Sequence, residues 1–150
     1  MTATFADVRR LAAQETGLAV LTTTRPDGSV HASVVNVGVL DYPTSDPISD
    51  PISGEPAVAA VIRGDARKLD HLRRTGRATV VFRRGWDWVA VDGPVRIVGP
   101  QDSSDLPALL REIFTAAGGQ HDDWPEFDRV MAAEKRVAVF VRATRITGNG

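Results

Sequence analysis

Two strand pairs joined by tight turns dominate this sequence, and they restrict the chain to a largely antiparallel β architecture. "LAVLTTT" (18–24) is rich in β-branched residues, "RPDGS" supplies a turn with Asp27-Gly28 at its tip, and "VHASVVNVGVL" (30–40) returns as a long strand. "RATVVFR" (77–83) and "WDWVAVDGPVRIVG" (86–99) form the second pair, joined at Arg84-Gly85. The almost wholly apolar "AVAAVIR" (57–63) and a final "RVAVFVRATRI" (136–146) bring the predicted strands to six. Period-two alternation puts Val89, Val91, Val95 and Ile97 on one face, expected to be interior. Trp86 and Trp88 then share the opposite face with Ala90, an apolar patch that a partner subunit, a flat ring ligand or peripheral helices would have to cover.

Helices punctuate the strands. Thr4 is placed to cap a first helix with Asp7 three residues on, an apolar stripe of Phe5, Val8, Leu11 and Ala12, and a stop at Gly17. Further helices are predicted over about 104–117 and from Pro125 to about Glu134. A mainly β fold follows: a six-stranded antiparallel barrel with peripheral helices, in which closure removes exposed edges. A single helix between the third and fourth strands gives no repeated βαβ unit. With 150 residues, one domain spanning 1–150 is expected.

Segment 41–56 stands apart. It holds four of the nine prolines and a tandem "SDPI" repeat, which blocks both helix and ladder. It reads as an exposed loop, a tolerated surface insertion in preference to a binding lid.

Several function classes drop out. A net charge of -1 gives no global reason to expect nucleic acid or an anionic membrane as partner. Zero cysteines exclude disulfides, thiolate chemistry and cysteine-ligated metals. Neither a signal-peptide run nor a membrane-spanning stretch is present, so a cytoplasmic protein is expected. There is no Gly-x-Ser-x-Gly elbow, phosphate-binding Gly-x-x-x-x-Gly-Lys or dinucleotide fingerprint. His31, His71 and His121 lie far apart without metal-ligand spacing, and "HDDW" (121–124) is better read as a loop leading into a helix cap than as a metal site.

One stretch breaks a local rule. "RGDARKLDHLRR" (63–74) reads as an amphipathic helix, with Leu69 and Leu72 on one face and Gly76 ending it. Arg67 and Lys68 occupy its first turn, where the peptide dipoles already leave positive charge. Free N–H groups, the dipole and two cations would together make a phosphate site; two side chains extended into screening water would explain the pattern equally well.

In order and spacing, "DGSVHASVVNVG", "VIRGDARKLDHLRRTGRATVVF", "GWDWVAVDGPVRIVG" and "AGGQHDDWPEFDRVMAAEKRVAVFVRATRITG" resemble the flavin/deazaflavin oxidoreductase superfamily. The similarity spans roughly 16–148 and is strongest to the F420-dependent, actinobacterial branch of pyridoxamine-phosphate-oxidase-like proteins. The resemblance implies a split β-barrel homodimer with cofactor sites at the subunit interface. By the same resemblance Arg67 and Lys68 would grip the cofactor phosphate, although Ala66 stands where the oxidases carry serine. Val61, Ile62 and Arg63 would run along the ring and ribityl chain, with Ser33, Val35 and Asn36 opposite and Trp86 and Trp88 near the ring or the partner. The chain lacks the arginine- and histidine-bearing final segment with which those oxidases hold substrate phosphate, so oxidation of pyridoxamine phosphate is not expected. The expectation is a reductase passing hydride from reduced coenzyme F420 to a small electron-poor acceptor. FMN in the same site, or a non-catalytic carrier of a flavin, deazaflavin or haem-like ring, are the alternatives. No general acid stands out; His71, less than one helical turn after the paired cations, is a candidate but reads more readily as a surface histidine.

Overall fold

The computed structural model describes residues 2–42 and 55–149, so the proline-rich segment falls almost wholly outside the described residues. In chain order the elements are α1 (Phe5–Gln14), β1 (Leu18–Thr24), β2 (Val30–Asp41), β3 (Pro56–Ile62), α2 (Arg67–Thr75), β4 (Arg77–Arg84), β5 (Asp87–Val98), α3 (Leu106–Ala116), α4 (Trp124–Ala133), β6 (Val137–Arg142) and β7 (Arg145–Gly148). Helix α1 begins where the capping box places it: the Asp7 carboxylate accepts the Thr4 backbone N–H at 2.9 Å.

The strands run β4-β1-β2-β3-β6-β5, and β5 pairs back onto β4, which closes a six-stranded antiparallel barrel. The last predicted strand, 136–146, is in fact two. β6 leaves the barrel at Arg142, the chain turns at Ala143-Thr144, and β7 pairs with the other end of β5, from Asp92↔Arg145 to Val89↔Gly148. The turn is held by Thr144 Oγ1 donating to the Asp92 carbonyl at 2.9 Å, a bond that alternation alone cannot reveal.

β2 and β5 are long because each serves two neighbours. β2 pairs with β1 as far as Leu18↔Asn36 and with β3 from Val37↔Ala60 onward. β5 does the same with β4 up to Pro94 and β6 from Val95. The barrel is therefore split between two half-sheets. Its interior is packed by alternate side chains such as Leu21, Val58, Phe82, Val89, Val91 and Val139. The apolar character of β3 has its reason here: Val58, Ala60 and Ile62 face the interior, while Ala57 and Ala59 lie in a second core under α3 and α4 with Leu110, Ile113 and Phe140.

The β4–β5 turn corrects one expectation. Gly85, at φ 61°, and Trp86 form a two-residue turn closed by Arg84↔Asp87, so Trp86 sits at the hairpin tip rather than on the strand face. Trp86 is 93% exposed, and Trp88, which is on the strand, 38%.

Candidate functional site

The site follows from the split. Ladder pairing between β2 and β3 ends at Val37↔Ala60. Beyond it, residues 34–36 stay with β1 while Val61 and Ile62 stay with β6, so the facing edges of the two strands diverge and lose their mutual hydrogen bonds. A groove of about 580 Å³ opens there, lined from this side by Val34, Val35, Asn36, Val61, Ile62 and Arg63. Backbone groups on diverging edges need other partners, and a ligand lying along the split would meet them. One is already engaged: the Val61 carbonyl accepts from Arg136 Nη1 at 3.4 Å.

The opposite wall comes from α3 and α4. Ile113, Phe114 and Ala117 contribute from the first, Phe127, Val130 and Met131 from the second, and His121 from the link between them. Phe114, His121, Trp124 and Phe127 pack together, with His121 stacked on Trp124 at 5.8 Å and Phe114 against Phe127 at 4.9 Å between centroids. Asp123 caps α4, its carboxylate accepting the Glu126 N–H at 3.1 Å, while its own N–H donates to His121 Nδ1 at 3.0 Å. That bond makes Nδ1 an acceptor and fixes the ring against the wall.

Charge at the groove is positive. Lys68, in the first turn of α2, reaches across the split and donates to Ser33 Oγ at 3.0 Å, bridging helix and β2. No carboxylate lies within ion-pair distance of it among the described residues. Burial, with the nearby Arg136 charge adding to it, pulls the Lys68 ammonium below its ordinary range. A desolvated ammonium with a second cation beside it and no counter-charge favours an arriving anion, which would relieve both effects. Arg63 and Arg136 are tied down by Glu134, at 3.2 Å from Arg63 Nη1 and 3.1 Å from Arg136 Nε.

Seven of the ten sequence-expected residues are thus gathered at the split, and three lie outside it. Val35, Asn36, Val61, Ile62, Arg63 and Lys68 line the groove, and Ser33 is bound to Lys68. Asn36 has its amide held by the Thr16 carbonyl at 2.8 Å. Arg67 shares the helix end but is exposed and outside the lining. Trp86 and Trp88 border no part of the groove in the single chain. His71 does not line it either: His71 Nδ1 lies 2.9 Å from Thr23 Oγ1. Sequence reasoning missed the α3–α4 wall and Arg136. The spacing of His121, Trp124 and Phe127, three residues apart, was the available signal.

A second histidine sits nearby on β2. His31 packs edge-on to His71 at 5.7 Å, and its Nδ1 is buried without a hydrogen-bond partner among the described residues. Loss of solvent, reinforced by Arg25, His71 and Lys68, holds its pKa below the ordinary histidine value. The unfolded chain therefore takes up a proton near pH 6.5 that the folded chain refuses, so stability is full above that pH and falls as pH drops through it. Thermal melts between pH 8 and 5 are expected to show this decline, with a shallower one in His31→Thr; parallel curves for the two proteins would count against it.

No protein-family model matches the chain. Solved structures do. The conserved hypothetical protein Rv2991 from Mycobacterium tuberculosis is similar over 99% of this chain and 85% of its own, with a TM-score of 0.70 and 20% identity. An F420 reductase is similar over 88% of this chain and 90% of its own, at TM-score 0.59 and 17% identity. A pyridoxamine 5'-phosphate oxidase-related, FMN-binding protein from Nostoc punctiforme gives TM-score 0.62 at 9% identity, covering 95% of this chain and 78% of that one. At such identities the likeness establishes a common fold.

Proposed function

We propose that this chain, whose barrel is the split β-barrel of pyridoxamine 5'-phosphate oxidase-like proteins, is an oxidoreductase that binds a flavin-type cofactor in the groove, with coenzyme F420 as the first choice. The observation that carries the reading is Lys68: a half-buried cation without a carboxylate, at a helix N-terminus, beside a groove with an aromatic wall. The fit is chemical as well as spatial. Small-molecule sites run from about 300 to 1,000 Å³ and are mostly apolar with a few convergent polar groups, the character of this groove.

A reduced deazaflavin supplies a hydride, so the hard chemistry is the cofactor's. What remains for the protein is binding and alignment. Lys68 and Ser33 hold the phosphate, with Arg67 adding charge at the same helix end. Val35, Asn36 and Val61 to Arg63 flank the ring and its chain, and Phe114 and Phe127 keep water off it. A small electron-poor organic acceptor then lies against the open face. This division of labour accounts for a site that brings no acid–base pair together among the described residues.

A homodimer belongs to the same proposal. Val30 and Val34 on β2 are 62% and 69% exposed, and Trp86 and Trp88 leave further apolar surface uncovered. A second copy seated there would bury it and bring the tryptophans toward a shared cofactor site. Among the described residues no helix is long and apolar enough to cross a membrane.

The deciding measurement is a fluorescence titration of the purified protein with F420 and with FMN. Tighter binding of F420 is expected; tighter binding of FMN replaces the cofactor and leaves the site in place. Oxidation of reduced F420 in the presence of electron-poor acceptors separates an enzyme from a carrier, which would show none.

A further inference from the structure

A second cavity, of about 520 Å³, opens on the far side of Arg136, which together with Met131 borders both spaces. Its floor is apolar: Leu106 and Leu110 of α3 and Val137 of β6 are all buried. Its rim is cationic, with Lys135 from the turn after α4 and Arg73 from α2, the latter 3.7 Å from the exposed Asp70. The acid at its edge, Asp128, is taken up by a two-pronged pair with Arg111, Nε to Oδ1 at 2.9 Å and Nη2 to Oδ2. Glu134 is likewise shared between Arg63 and Arg136. Lys135 is left without a carboxylate among the described residues.

The backbone singles out the same lysine. Lys135 has φ 53°, the left-handed region that favours glycine. It occupies the position after α4 where glycine is the usual residue, its N–H reaching the Ala132 carbonyl at 3.1 Å and that of Arg136 reaching Met131 at 2.9 Å. The same conformation recurs at Thr16 after α1, so it fixes where the Lys135 side chain stands, at the rim of a cavity with an apolar floor.

We infer that this cavity is a binding site for a small organic anion with an apolar body. The body lies on Leu106, Leu110 and Val137, and its carboxylate or sulfonate meets Lys135 and Arg73. The site is separate from the proposed cofactor groove and does not depend on it.

The probe is 8-anilinonaphthalene-1-sulfonate, an apolar ring system with one sulfonate, titrated into the intact protein. Saturable binding that weakens with added salt is expected. Lys135→Gly removes the amine while relieving the backbone, so the fold should melt no lower than the parent, and its affinity for the probe is expected to fall about tenfold. Arg73→Gln should act in the same direction, and the tenfold loss should persist when Lys135→Gly is made in a Lys68→Ala background, where the cofactor groove has lost its own anion-attracting charge. Undiminished binding to Lys135→Gly in either background, or no saturable binding to the parent, overturns the inference.

Discussion

Replacing Lys68 with alanine is expected to weaken cofactor binding by about 1.5–3 kcal/mol, roughly 10- to 150-fold in dissociation constant, the range for a hydrogen bond to a charged group. What Lys68 lacks sets the size of the effect. Its ammonium is partly desolvated, lies near the Arg136 charge, and has a neutral hydroxyl as its partner, Ser33 at 3.0 Å. Removing it costs the free protein little, because no ion pair is broken and Ser33 turns to water. The whole effect therefore falls on the bound state. Melting of the free protein should barely change while affinity collapses, which distinguishes a binding role from a structural one. Arg67→Ala, removing an exposed charge at the same helix end, should cost much less because solvent screens it. A fluorescence titration reads all three proteins. An unchanged dissociation constant in Lys68→Ala would place the phosphate elsewhere.

A large effect on stability is also expected at Gly93. It lies where β5 passes from β4 and β7 to β6, directly under the turn linking β6 to β7. A Cβ built there would stand 1.8 Å from the Arg142 carbonyl oxygen and 3.0 Å from Thr144 Oγ1. The first of these atoms is backbone, so nothing flexible can yield, and the chain must move away from the barrel seam. Gly93→Ala is expected to destabilise the fold by about 3 kcal/mol, at the upper end of overpacking costs. For a domain of this size that lowers the melting temperature by roughly 6–12 °C, readable by circular dichroism. Phe82→Ala provides the comparison: it empties a fully buried position and should cost about 3–5 kcal/mol through a cavity rather than a clash. A Gly93→Ala melt within about 2 °C of the parent would mean that the seam is softer than its geometry implies.

Local rules carried far in this chain. β1 falls on 18–24 as its β-branched run dictates, the Asp27-Gly28 turn pairs β1 with β2, and α2 ends at Gly76. These features are legible because each is settled within a few residues by side-chain branching, alternation and turn chemistry. The break at Ala143-Thr144 was not legible, since residues 136–146 contain no glycine or proline to mark it and only the competition for the edge of β5 divides them.

By itself, then, the sequence determined an antiparallel barrel, its strand order in the chain, and a pair of cations set against a helix dipole. Tertiary structure alone decided where the barrel splits, because that depends on which half of β2 finds β1 and which finds β3. It also decided that Lys68 turns into the split while Arg67 stays in water, and that α3, α4 and their link supply an aromatic wall. A groove is a gap between elements, and the residues that border it need share no period, motif or neighbourhood in the chain.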